Sequence, residues 1–356
     1  MLNLRQIIGL IAAASVADGA GFRRDGLRVK FGWSSALENV DYFFKIPRTL
    51  MEAEAEGWRR TNREGLMAEL RMYCTPGRNV CPMYDVGGFI AGLQIGFPKD
   101  DFESQVQKPQ AKMMSWRALA NFGEPTKDFW HLPQYYVTEE SLKAGSGPQI
   151  ENGATLQEGG VWVYGPDVKL MRIPTTEAEL NNTIFKKQNC IPNMGTHYYY
   201  NLTKDTKCED IWPWFALVSE GELIGTGFFM FGRLVKQSDF RKWFENGPFT
   251  KESVKSEEIE YPTVEQSLTR MKKGRSRYPE HAFLSKLTVP DAPKCLYDWA
   301  EYGILSLHIY YVDKPWNIRC KDGDSLKQSP VMDRLLFNGY RYAKAISDNV
   351  KKMFGG

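Results

Sequence analysis

The chain lacks the short motifs that mark the large enzyme classes. G-x-S-x-G is absent from its 356 residues, so an α/β-hydrolase nucleophile elbow has no candidate. H-E-x-x-H is absent too, which removes a zincin, as are G-x-x-x-x-G-K-[ST], G-x-G-x-x-G and the EF-hand loop. Carboxylates are plentiful, but no pair stands out at a spacing that would single out a glycosidase. Charge of one sign is scarce: 46 Lys and Arg face 43 Asp and Glu, a formal net charge of +3, and nothing there argues for a specific nucleic acid partner. Beyond the first 17 residues no apolar run is long enough to cross a bilayer, so no transmembrane helix is expected.

What is present concerns compartment more than chemistry. Arg5 precedes an apolar core, Ile7-Ile8-Gly9-Leu10-Ile11-Ala12-Ala13-Ala14, and Ser15 and Ala17 put small side chains where a signal peptidase reads. Residues 1–17 therefore read as a secretory signal cleaved after Ala17, with polar Asp18 following at once. The rest of the chain holds six cysteines: Cys74, Cys81, Cys190, Cys208, Cys295 and Cys320. An even number behind a leader favours disulfides, and none of the spacings is the C-x-x-C of a thiolate metal site. Their grouping along the chain predicts three local bridges, Cys74–Cys81, Cys190–Cys208 and Cys295–Cys320, worth roughly 2–4 kcal/mol each. Asn181-Asn182-Thr183 and Asn201-Leu202-Thr203 fit N-x-[ST], which makes Asn181 and Asn201 candidate glycosylation sites on the surface.

Hydrophobic patterning points to an α+β, β-rich fold with antiparallel sheets, a helical N-terminal segment and a C-terminal helix. Residues 35–73 carry mostly helical spacing, and Leu335, Leu336, Tyr340, Ile346, Val350 and Met353 repeat it at the end. Strands are predicted over Phe89–Phe97, Val161–Tyr164 and Leu305–Val312. The clearest hairpin joins Trp214–Val218 to Leu223–Phe231 through Ser219-Glu220-Gly221-Glu222. Two lobes are expected, 18–165 (helical, then β) and 166–356 (β-rich, with the terminal helix).

Chemistry concentrates between Cys190 and Phe215. His197 heads the run His197-Tyr198-Tyr199-Tyr200, and His308 lies in the last predicted strand. The two could approach in space and ligate copper or zinc, since neutral imidazole suits both metals. The plainer reading is a strand whose tyrosines pack and hydrogen-bond at one end. Lys272, Lys273, Arg275 and Arg277 form a basic stretch that could dock a sulfated polysaccharide; Glu257, Glu258 and Glu260 offset its charge.

The runs Asn193-Met194-Gly195-Thr196-His197-Tyr198-Tyr199-Tyr200, Pro213-Trp214-Phe215, Gly221-x-Leu223, Pro293-x-x-Leu296 and Leu307-His308-Ile309-Tyr310 resemble an uncharacterised family of secreted animal proteins across the C-terminal half. That resemblance implies an extracellular setting and no mechanism. Asn39-Val40-Asp41-Tyr42-Phe43-Phe44-Lys45-Ile46-Pro47 is similar to a segment of the acid nuclease family DNase II, whose chemistry rests on histidines with a lysine two residues later. Here those positions hold Pro133, Tyr199, Phe283 and Tyr310, so no catalytic residue carries over. The expected function is a secreted glycoprotein that binds an extracellular partner or a small apolar ligand without catalysis, with aromatic clusters such as Trp212-Pro213-Trp214-Phe215 as candidate pocket walls. The alternative is a metal-dependent secreted enzyme built on His197 and His308. No cofactor is specified by the sequence.

Overall fold

The computed structural model describes residues 22–30, 43–63, 69–106, 108, 112–143, 156–157, 159–191, 193–236, 241–245, 285–286 and 288–320. The expected leader, the basic stretch 272–277 and the C-terminal helix lie outside these residues.

Among the described residues two antiparallel sheets dominate. The first has seven strands in the order β12-β13-β14-β15-β17-β1-β2. These are β1 (Arg28–Lys30), β2 (Phe43–Lys45), β12 (Phe185–Ile191), β13 (Gly195–Tyr200), β14 (Trp214–Ser219), β15 (Glu222–Phe231) and β17 (Ile304–Tyr310). The second sheet runs β11-β10-β9-β6-β5-β4-β3, with β8 also paired to β9. Its strands are β3 (Arg59–Arg60), β4 (Arg71–Cys74), β5 (Val80–Tyr84), β6 (Ile90–Pro98), β8 (Met114–Ala118), β9 (Lys127–Tyr135), β10 (Val161–Tyr164) and β11 (Leu170–Ile173). A short pair, β7 (Phe102–Glu103) and β16 (Arg233–Leu234), ties the two halves of the chain together.

The expected hairpin forms as β14–β15, and its turn places Glu220 (φ 55°) and Gly221 (φ 82°) in the left-handed region. Two consecutive positive φ values match the right-handed twist of the flanking strands, which is why a glycine sits there. Among the described residues of the stretch 35–73 the helical reading holds for α1 (Leu50–Ala55), closed by a capping box between Thr49 and Glu52. Met72 and Tyr73, assigned to that helical spacing, instead alternate within β4, Met72 in one apolar cluster and Tyr73 in another. Pairing with β5 overrides the local helical spacing. The other described α-helices are short: α2 (Glu139–Lys143), α3 (Glu177–Leu180) and α4 (Lys294–Ala300).

The sheets pack face to face. Alternate residues of the first sheet, Tyr198, Trp214, Ala216, Phe228, Leu307 and Ile309, share one core with Tyr84, Leu93, Ile95, Leu132 and Tyr136 of the second. One polar network crosses this apolar interface. Gln134 Nε2 donates to the hydroxyls of Tyr136 and Tyr311, both at 3.0 Å. Its Oε1 accepts from Thr226 Oγ1 at 3.0 Å and Trp214 Nε1 at 3.3 Å. With every polar atom of its amide partnered, the network fixes how the sheets sit against each other rather than weakening the core. The sheets do not divide at residue 165: strands 28–30 and 43–45 join the first sheet with the C-terminal strands, and Leu170–Ile173 belongs to the second.

All six cysteines are bridged, but two of the three bridges differ from the local pairing. Cys74–Cys81 forms as expected, whereas Cys190 joins Cys320 and Cys208 joins Cys295, with Cα separations of 5.8 and 6.3 Å. The reason is the return of the chain after β17. Asn193 N donates to Ile318 O at 3.0 Å, and Arg319 Nη1 donates to Asn193 Oδ1 at 2.8 Å, laying the 318–320 segment beside β12. Residues around Cys208 pack with α4, which carries Cys295, in one apolar cluster on the outer face of the first sheet.

Candidate functional site

His197 and His308 do meet. They lie on the outer face of the first sheet, His197 on β13 and His308 on β17, with β14 and β15 between. Phe215 of β14 and Gly227 of β15 are register partners, and Gly227 in turn pairs with His308. A Cβ on Gly227 would lie 2.0 Å from the Phe215 ring, so only glycine lets that ring settle over β15. Both imidazoles pack on the ring, each with its centroid 5.1 Å away. Their Nε2 atoms end 3.5 Å apart.

Two further residues complete the cluster. Lys30 is the β1 register partner of His308, and its Nζ donates to Glu245 Oε1 at 2.7 Å. Glu245 forms a backbone bridge with Ser306 and accepts from Ser306 Oγ at 2.8 Å through Oε2. His308 Nδ1 lies 3.1 Å from that same oxygen. Burial alone would push the Glu245 carboxyl up; the neighbouring His308 and Lys30 outweigh it and hold the group below the ordinary carboxylate range. His197 is driven the other way, down to about 3, first by burial and then by His308. Its Nδ1 faces Gly195 O at 3.2 Å. A carbonyl only accepts, so the proton sits on Nδ1 and the lone pair of Nε2 points at His308. The 3.5 Å gap between the two Nε2 atoms admits one hydrogen or one metal ion.

The cluster is sealed. Lys30 and Glu245 are 0% exposed, His197 3% and His308 4%. Two Nε2 atoms 3.5 Å apart suit one metal ion at the usual distance of about 2.0–2.1 Å, but no third His, Cys, Asp or Glu joins them among the described residues. Sequence reasoning missed Lys30 and Glu245. The available signal was weak: Lys30 stands between Val29 and Phe31, and Glu245 follows Trp243-Phe244, so each charge borders large apolar side chains and needs a partner if they are buried. His131 is elsewhere, fully buried on β9 of the second sheet, where burial lowers it to about 4. The aromatic run at 212–215 is core, with all three rings at most 2% exposed.

Both sequon asparagines are exposed: Asn181 at the C-terminus of α3, Asn201 in the turn after β13. No described helix is long and apolar enough to cross a membrane.

An open recess lies at the other sheet. It has a volume of about 610 Å³ and is bordered by Arg60 to Arg63, Leu70 to Met72 and Leu119 to Asn121. Its rim is stitched by amides. Asn62 Nδ2 donates to Arg117 O at 2.7 Å, Leu119 N donates to Asn62 Oδ1 at 2.9 Å, and Asn121 Nδ2 donates to Arg60 O at 3.0 Å. Arg78 fixes the 119–125 loop from behind, donating to Leu119 O at 2.7 Å and Pro125 O at 2.9 Å. Comparison of the chain with family models, with curated proteins and with solved structures finds no match.

Proposed function

We propose that this chain is an extracellular, non-enzymatic binding protein whose site is the recess between Arg60 and Asn121. The observation that carries the reading is a contrast of access. The cluster with the chemistry of an active site is closed to substrate, while a preformed concavity of a size that holds small ligands stands open on the second sheet. Three disulfides, a leader-like start and two exposed sequons support the extracellular setting. The recess is rich in arginine, so a polar partner suits it better than the apolar ligand expected from the aromatic content. Native mass spectrometry of protein purified from its source tests the proposal. A bound molecule or protein partner that is lost on filling the recess with Ala120→Trp is the expected result. Protein that carries neither removes the reading.

A second reading rests on the 3.5 Å contact between His197 and His308: a metal-dependent enzyme holding copper or zinc between the two Nε2 atoms. It requires both Nε2 atoms to present lone pairs to the metal and the covering face to open. Elemental analysis separates the two. Stoichiometric copper or zinc that disappears in His197→Ala supports the enzyme reading, and metal-free protein ends it.

A further inference from the structure

The recess carries an excess of donors. Three of its ten described bordering residues are arginines, Arg60, Arg63 and Arg71, and none of the ten is an aspartate or glutamate. Arg60 is exposed, while Arg63 and Arg71 are half-buried. Arg71 is held in place by its Nη2, which donates to Asp85 O at 2.6 Å and Val86 O at 3.0 Å. Its Nε is buried and makes no hydrogen bond with a described residue, and the same holds for Arg63 Nη1. Behind Arg63 lies Tyr135, 0% exposed, whose hydroxyl neighbours the guanidinium. The amides of Asn62 and Asn121 are spent on rim backbone and do not answer these donors. Three positive charges around one concavity repel one another, and an anion with several oxygens relieves that repulsion.

We infer that the recess binds the tetrahedral oxyanion of a small molecule, a phosphate or sulfate monoester, with Arg63 and Arg71 gripping the oxyanion and Arg60 closing over it from the rim. The inference rests on the recess being the binding site. Guanidinium supplies paired donors that match such an anion, and a phosphate monoester brings close to two negative charges, more than a carboxylate can. A volume of about 610 Å³ leaves room for the organic part of the ester.

Isothermal titration calorimetry of the full chain at constant ionic strength is the test, with inorganic phosphate, inorganic sulfate, phenyl phosphate and phenyl sulfate as probes and benzoate as the carboxylate control. Saturable binding of at least one ester is expected, tighter than benzoate and weakened about tenfold or more by Arg63→Gln and by Arg60→Gln. The ranking of phosphate against sulfate identifies the source. Ala120→Trp gives a variant that leaves the arginines in place and should abolish binding by occlusion. Combined substitution of Lys272, Lys273 and Arg275 by glutamine should leave the affinity unchanged. No heat with any oxyanion, or binding that survives Arg60→Gln, Arg63→Gln and Ala120→Trp but falls in the 272–275 variant, overturns the inference. If oxyanions fail while source-purified protein still carries a ligand that Ala120→Trp displaces, the binding reading stands and the ligand class assigned here is wrong.

Discussion

Acid should unfold this protein in a range where most carboxylates are still ionised, and two histidines set the effect. His197 and His131 have ordinary unfolded values of 6.5, and burial lowers them in the folded chain to about 3 and about 4. Their folded values lie below the unfolded ones, so between those limits the unfolded chain takes up protons that the native state refuses. The stability they contribute is present above pH 6.5 and is lost as pH falls. Each group removes about 1.4 kcal/mol per pH unit, so at pH 5 each has removed about 2 kcal/mol and the pair about 4 kcal/mol. That is a large share of a typical stability of about 5–15 kcal/mol. Glu245 adds its own loss at lower pH, because its depressed carboxyl value makes its contribution fade from about 4.5 downward.

Equilibrium urea unfolding at pH 7.5, 6.5, 5.5 and 5.0 measures the slope. Wild-type protein should be flat above pH 7 and lose stability steeply below 6.5. His197→Gln and His131→Gln should each start less stable and show about half the pH dependence between 6.5 and 5.0. A wild-type change of less than about 1 kcal/mol from pH 7.5 to 5.0 would refute the reasoning. So would an unaltered slope in both variants, since the proton uptake would then belong to other groups.

The bridges and the inter-sheet network give two more expectations. Non-reducing peptide mapping should recover Cys190 joined to Cys320 and Cys208 joined to Cys295. Because these close 130- and 87-residue separations, replacing either pair by alanine should cost about 4–5 kcal/mol in chemical denaturation, more than the roughly 2–3 kcal/mol expected for the short Cys74–Cys81 loop. Gln134→Leu strips four hydrogen bonds from Tyr136, Tyr311, Trp214 and Thr226 and should destabilise the protein by about 3 kcal/mol in the same assay, while Gln134→Glu should lose stability further as pH rises.

Several elements were legible before folding because their cause is local. Runs rich in branched and aromatic side chains marked the strands at 90–98, 161–164 and 304–310, and a short polar turn containing Gly221 marked the hairpin. Where local chemistry and sheet pairing disagreed, as at Met72 and Tyr73, pairing prevailed, because burial in a sheet outweighs the small differences in helix propensity. Strand β9 was missed. Its sequence mixes Lys127, Asp128, Pro133 and Gln134 with the aromatic residues, which lowers the local strand propensity that marked the other strands.

The sequence by itself determined that the chain is β-rich and antiparallel, that its cysteines are oxidised in pairs, and that His197 and His308 sit on strands. These properties follow from residue type and spacing over a few positions. Tertiary structure alone decided which cysteines pair, that the two imidazoles touch across two intervening strands, that Lys30 and Glu245 stand beside them, and that three arginines from β3, β4 and the segment between them border one recess. Each of those outcomes depends on strand order and register between segments tens to hundreds of residues apart. A spacing pattern holds no information about that distance, because the energy that selects it is contact between faces that meet only once the sheets have closed.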